Sequence, residues 1–127
     1  MKGTKAKTIL VVDDEPDIVQ ALETRLNSRG FRVLRAYDGA QATARIQKER
    51  PDLVLLDIHL PGGDGLTVMR RNGSSPKGRI PVVAMTADPS WTTERSCHEL
   101  GCAGFFRKPY EPNRLFEAIE RALPGDR

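Results

Sequence analysis

Five residues carry the chemistry this sequence is able to do: Asp13, Asp14, Asp57, Thr86 and Lys108. Each follows a short, largely apolar run: Thr8-Ile9-Leu10-Val11-Val12 before the aspartate pair, Leu53-Val54-Leu55-Leu56 before Asp57, Pro81-Val82-Val83-Ala84-Met85 before Thr86, and Gly104-Phe105-Phe106-Arg107 before Lys108. If these runs are parallel strands of one sheet, their carboxyl ends bring all five residues to one edge. Carboxylates crowded within a few ångströms repel one another, raise each other's pKa and destabilise the fold unless a cation sits among them. Oxygen ligands without a His or Cys side chain favour a hard divalent ion, and Mg²⁺ is the natural occupant because it keeps several waters and needs only one or two carboxylates. Lys108 adds a positive point charge and Thr86 a small hydroxyl donor. A metal, an ammonium and a hydroxyl around one aspartate suit an incoming phosphoryl group, whose transfer is catalysed mainly by positioning and charge neutralisation. Asp57 is the nucleophile in that reading. Taken singly, Asp13 or Asp14 reads as a helix cap, Thr86 as a strand end and Lys108 as a surface charge; their joint placement at four strand ends favours the functional reading.

The elements that must position them follow from the apolar patterning. Thr8 to Val12 is a continuous β-branched run, the mark of a strand covered on both faces. Pro16 suits the first turn of a helix, Ile18, Val19, Leu22 and Leu26 form its apolar stripe, and Gly30 stands at its C-terminal cap. A second strand is predicted over Phe31 to Ala36, then a helix opened by a capping box at Asp38-Gly39-Ala40-Gln41 and closed near Glu49, before Pro51. The third strand ends at Asp57. Pro61-Gly62-Gly63-Asp64-Gly65 reads as a loop with positions open to positive φ, Leu66 to about Arg71 as a short helix, and Asn72 to Arg79 as a polar loop. Trp91 to Leu100 is helical in composition but poor in apolar positions, so weak anchoring and mobility are expected of it. The last helix carries Leu115, Ile119 and Ala122 inward, with Phe116 and Leu123 alongside. Strand and helix alternating five times predict an α/β fold, a doubly wound five-stranded parallel sheet, with function at the carboxyl ends of the strands.

The chain has 127 residues, which predicts one domain with a proper core and excludes a two-domain enzyme. With 39% hydrophobic and 29% charged residues the composition is that of an ordinary globular protein. The longest apolar run, Ile9 to Val12, is far short of the roughly 18 residues a membrane span requires, and Met1-Lys2-Gly3-Thr4 lacks the apolar core of a secretory signal, so a cytoplasmic location and no membrane partner are expected. The net charge of +3 would suggest nucleic acid, but Lys2, Lys5 and Lys7 stand in the N-terminal stretch; the other 17 basic residues balance the 17 acidic ones. No direct nucleic-acid binding is therefore expected. Residues 1–6 read as a basic tail, 7–123 as the domain and 124–127 as a C-terminal tail. Cys97 and Cys102 fit neither a redox pair nor a zinc knuckle, with only His59 and His98 available as metal partners, and read as two small, mostly buried thiols.

The sequence resembles the receiver domains of two-component response regulators, which are CheY-like proteins of the flavodoxin-like (βα)5 fold. The resemblance spans about Lys7 to Leu123. It rests on Val11-Val12-Asp13-Asp14-Glu15-Pro16, on Pro51-Asp52-Leu53-Val54-Leu55-Leu56-Asp57-Ile58-His59-Leu60-Pro61 followed by Asp64-Gly65, on Met85-Thr86-Ala87, and on Lys108-Pro109. It implies a bacterial signalling phosphoprotein, not an enzyme in the ordinary sense, that catalyses its own phosphotransfer and autodephosphorylation. Asp57 would be phosphorylated by a histidine kinase or phosphotransfer protein. Asp14, Asp57 and the backbone carbonyl of His59 would hold Mg²⁺, with Asp13 acting mainly through water. Thr86 would contact the phosphoryl oxygens, Lys108 would pair with them, Phe105 would occupy the aromatic switch position, and Pro109 would follow a cis bond. A downstream protein target is the expected output, with a receiver fragment of a hybrid kinase or a phosphorelay shuttle as the alternative.

Several positions depart from the family pattern. Gly62-Gly63 should loosen the loop beside the site. Cys102-Ala103-Gly104 replaces an acidic pair that many DNA-binding relatives use to dimerise. Phe105 lacks a tyrosine hydroxyl, so the switch is expected to be purely steric. Asp88 and His59 flank the site and should tune the lifetime of an acyl phosphate, while Asp88 also reads as a turn residue before Pro89. Trp91 and Tyr110 read equally well as a shared exposed contact surface or, for Trp91, as a partly buried ring packing its helix. A flavodoxin is disfavoured because Asp13-Asp14-Glu15-Pro16-Asp17 would repel the flavin phosphate, and a haloacid-dehalogenase phosphatase because the first strand carries no D-x-D.

Overall fold

The computed structural model describes residues 6–60, 65–88 and 90–125. The expectations placed on Lys2, Lys5, residues 61–64, Pro89 and residues 126–127 lie outside the described residues. The elements run β1 (Thr8–Val12), α1 (Pro16–Ser28), β2 (Arg32–Ala36), α2 (Gly39–Glu49), β3 (Leu53–Asp57), α3 (Gly65–Gly73), β4 (Val82–Thr86), α4 (Trp91–Glu99), β5 (Gly104–Arg107) and α5 (Pro112–Ala122). All strand pairs are parallel, in the order β2-β1-β3-β4-β5. This is the expected doubly wound sheet.

The three central strands are apolar at consecutive positions because both of their faces are covered. Alternate side chains enter two cores. Leu10, Val12, Val54, Leu56, Val82 and Ala84 pack with residues of α2, α3 and α4. Ile9, Val11, Leu53, Leu55, Val83 and Met85 pack with residues of α1 and α5. Truncating one of these fully buried side chains, Leu55 for example, to Ala costs about 2–5 kcal/mol.

The helix ends follow local chemistry. Gly30 takes φ 90° and closes α1, with Gly30 N–H donating to Asn27 O and Phe31 N–H to Leu26 O. The Asp38 carboxylate accepts from Gln41 N–H at 2.8 Å, but the Gln41 side chain accepts from Tyr37 N–H rather than from Asp38, so only half of the expected capping box forms. Phe31 precedes β2 instead of opening it, and β4 begins at Val82 rather than Pro81. The larger correction is at α3, which runs on to Gly73. Asn72, expected in a polar loop, is a buried helical residue whose amide donates to Ile80 O at 2.8 Å and accepts from Ile80 N–H at 3.1 Å. Those bonds satisfy the backbone just before β4 and set where that strand starts.

Candidate functional site

Strand register assembles the site. Val12 is aligned with Leu56 and Asp57 with Met85, so Asp13 follows β1 at the level where Asp57 ends β3, and Thr86 lies one residue further along β4. Thr86 is aligned with Arg107, which puts Lys108 just past the end of β5. The chain reverses its winding direction between β1 and β3, and the crevice there is where open α/β sheets bind ligands.

Asp13, Asp14 and Asp57 offer carboxylate oxygens that all lie within 4.8 Å of one another. Asp13 and Asp57 are buried and Asp14 is exposed. Lys108 is tied to both buried aspartates: its Nζ donates to Asp13 Oδ2 at 2.9 Å and to Asp57 Oδ2 at 3.0 Å. Burial works against its ammonium, but the hydrogen bonds and charges of the two aspartates outweigh that and raise its pKa above the ordinary lysine value. Asp57 Oδ1 accepts from His59 N–H at 3.0 Å, and Asp13 Oδ1 from Glu15 N–H at 3.1 Å. Three oxygen donors from two strand ends, one of them exposed, suit a hard divalent cation bound at the open side of the pair that Lys108 bridges. The Lys108–Pro109 bond is cis.

Gly65 matters for a reason its loop position did not suggest. It begins α3 without a positive φ, but a Cβ there would lie 2.6 Å from Ile58 Cα and 2.9 Å from Asp57 O. Only glycine lets α3 press against the backbone that carries Asp57.

Thr86 is fully buried, and its hydroxyl oxygen accepts from Asp88 N–H at 3.0 Å. Asp88 fits the turn reading made of it. Its carboxylate accepts from Ser90 N–H at 2.9 Å and Thr93 Oγ1 at 2.9 Å, which organises the start of α4, and it meets His59 Nε2 at 3.3 Å. The bonds from Ser90 and Thr93 hold its pKa below the ordinary carboxylate value, with His59 adding to them. Asp88 and His59 thus bridge the β4–α4 and β3–α3 loops beside Asp57.

Phe105 packs against the core beneath α4, on the side of the sheet opposite Phe106, whose ring meets Tyr110 at 6.4 Å. Tyr110 therefore packs on the α1–α5 side, and Trp91 begins α4, which covers the other face of the sheet. Trp91 itself is 64% exposed, which removes the reading of a partly buried ring. Cys97 is buried, and burial pushes its thiol to about 12; Cys102 is only half-buried, again with a raised pKa from burial, and its Sγ lies 3.8 Å from His98 Nδ1. Neither thiol has the depressed pKa of a reactive cysteine. Sequence reasoning missed Arg107 and Glu94. The Arg107 guanidinium donates to Asp88 O at 2.7 Å and to Glu94 Oε1 at 3.0 Å, and no spacing in the sequence signals that link.

Among the described residues, no helix is long and apolar enough to cross a membrane. The sequence matches the profile of the response regulator receiver domain over residues 9–120. Among solved structures it is similar to the chemotaxis response regulator CheY4 of Vibrio cholerae, with 27% identity over 94% of this chain and all of that one, at a TM-score of 0.84. The BeF3-activated N-terminal receiver domain of Klebsiella pneumoniae RstA is 30% identical over 94% of this chain and all of that one, at a TM-score of 0.85. A CheY-like response regulator receiver domain protein of Methanospirillum hungatei is 26% identical over 92% of this chain and 93% of that one, at 0.86.

Proposed function

Because the chain belongs to the response regulator receiver domain family, we propose that it is a phosphoacceptor whose Asp57 takes a phosphoryl group from a phosphohistidine of a kinase or phosphotransfer protein. The observation that carries this reading is the Lys108 ammonium bridging Asp13 and Asp57 beside the exposed Asp14. An Asp57 carboxylate oxygen attacks phosphorus, the P–N bond of the donor breaks, and the imidazole leaves with its electron pair and takes up a proton. The product is an acyl phosphate on Asp57. Lys108 then pairs with the phosphoryl oxygens, and the Thr86 hydroxyl donates to another once it lets go of Asp88 N–H. Asp14, Asp57 and the carbonyl of His59, with Asp13 acting mainly through water, would hold Mg²⁺, which would supply the positive charge that lets a phosphoryl group approach three carboxylates. Water attacking phosphorus later releases orthophosphate and regenerates Asp57, so the chain catalyses its own phosphorylation and dephosphorylation without acting on a separate substrate.

The output is a changed surface around α4 and β5, offered to a downstream protein in the cytoplasm of a bacterial cell. Residues 7–123 make up the signalling unit. The test is incubation with acetyl phosphate: Mg²⁺-dependent incorporation of one phosphoryl group is expected, abolished by EDTA and by Asp57→Asn. Incorporation that survives Asp57→Asn overturns the reading.

A further inference from the structure

The ring of Phe105 lies near two nitrogen-bearing side chains that share one carboxylate. The Arg107 guanidinium sits 5.4 Å from the ring centroid, and the His98 ring centroid lies 6.1 Å from it. Glu94 joins them: its Oε1 accepts from Arg107 Nη2 at 3.0 Å, and its Oε2 faces His98 Nε2 at 3.5 Å. Arg107 also donates through Nη1 to Asp88 O, and Asp88 N–H donates to the Thr86 hydroxyl. A continuous polar path therefore runs from Thr86 through the Asp88 backbone and Arg107 to Glu94, and the two partners of Glu94 both lie near Phe105. The expectation of a purely steric switch overlooks this path.

We propose that Glu94, through Arg107 and His98, is a lock that holds Phe105 in its resting position and so opposes activation at Asp57. This rests on the reading of Asp57 as phosphoacceptor. Drawing Thr86 toward a phosphoryl group strips Asp88 N–H of its acceptor and disturbs the residue whose carbonyl anchors Arg107. For the ring to move, the contacts that Arg107 and His98 make with Glu94 must rearrange. By linkage, whatever the lock adds to the resting state is subtracted from the affinity for a phosphoryl group or its mimic. Glu94 acts through Arg107 and His98 and touches no reacting atom, so it is a positioning residue.

The test is Glu94→Gln, which keeps the size of the side chain and removes its charge. Glu99→Gln is the control: it breaks an exposed pair with Arg95 on the same helix and touches neither Arg107 nor His98. Two quantities are measured on the full chain carrying fluorophenylalanine, with the Phe105 resonance assigned by Phe105→Leu. They are the ¹⁹F shift of Phe105 without ligand, and the apparent Kd for beryllium fluoride with Mg²⁺. Glu94→Gln is expected to move the ligand-free resonance toward its beryllium-fluoride-bound position in the native protein and to tighten Kd by about 3- to 10-fold, within the ordinary range of coupling between sites. Glu99→Gln should change neither. A resonance that does not move, or one that moves while Kd stays within about twofold, overturns the lock. If the native protein binds no beryllium fluoride, the phosphoacceptor reading fails instead, and the ligand-free resonance still decides whether Glu94 holds the ring.

Discussion

Lys108→Met removes the counter-charge of the ligand-free site while keeping most of the side chain's volume. Its Nζ lies 2.9 Å from Asp13 Oδ2 and 3.0 Å from Asp57 Oδ2, and Asp13 is fully buried. At an effective dielectric of about 20, each contact is worth roughly 5–6 kcal/mol of attraction, much of which is cancelled by no longer having to desolvate the ammonium. Removing one partner of a buried pair leaves the other charges uncompensated, at about 3–5 kcal/mol. Partial access to water through the exposed Asp14 side lowers the expectation to about 2–4 kcal/mol, which for a domain of this size is roughly 8–15 °C in Tm. The assay is thermal unfolding in EDTA. Saturating Mg²⁺ should then raise Tm more in the variant than in the native protein, because the cation replaces a missing charge instead of competing with one. The deficit should also depend on pH. Lys108 binds its proton more tightly folded than unfolded, so its stabilisation is complete below the unfolded pKa near ~10.4 and is lost as pH rises through the raised folded value. The gap between native and variant should therefore narrow above about pH 10.5. A variant melting within about 2 °C of the native protein in EDTA at pH 8 would refute the reasoning, since it would mean that less than about 1 kcal/mol depends on the bridge.

Asp14→Asn should leave folding intact and abolish most of the rise in Tm that millimolar Mg²⁺ produces in the native protein; an unchanged rise would exclude Asp14 from the metal site. If the Asp88 carboxylate, bonded to Ser90 and Thr93 and meeting His59, stands in the path of in-line water, Asp88→Ala should shorten the phosphorylated half-life severalfold without altering Mg²⁺ affinity. Equal or longer half-lives by quenched dephosphorylation assays would contradict that role. Asn72→Ala, far from the chemistry, leaves the Ile80 N–H and C=O without their side-chain partners and should cost about 2–3 kcal/mol in urea unfolding with phosphorylation by acetyl phosphate preserved.

The chemistry of this chain was more legible than its connections. A strand covered on both faces announces itself by an unbroken apolar run, so β1 and β3 and the aspartates after them stood out, and parallel register alone then gathers Asp13, Asp57, Thr86 and Lys108. Asn72 was misplaced because Asn, Gly and Ser after a short helix look like a loop, and only the buried backbone of Ile80 gives the amide a reason to be inside. Where Tyr110 packs depends on which side of the sheet each helix covers, and it follows Phe106 to the α1–α5 side. Arg107 was invisible as a link: its partners, Asp88 O and Glu94, become neighbours only when β5 lies beside β4. A backbone acceptor carries no mark in a sequence.

A covalent bond between phosphorus and the carboxylate of Asp57, the heart of the proposed reaction, can be trapped chemically. The protein is incubated with Mg²⁺ and acetyl phosphate, then reduced with borohydride, which converts an acyl-phosphorylated aspartate to homoserine, and the digest is read by mass spectrometry. Homoserine is expected at position 57, dependent on both Mg²⁺ and phosphodonor, with Asp13 and Asp14 unmodified. Homoserine at position 13 or 14, or phosphate on a serine, threonine or histidine with Asp57 intact, would contradict it.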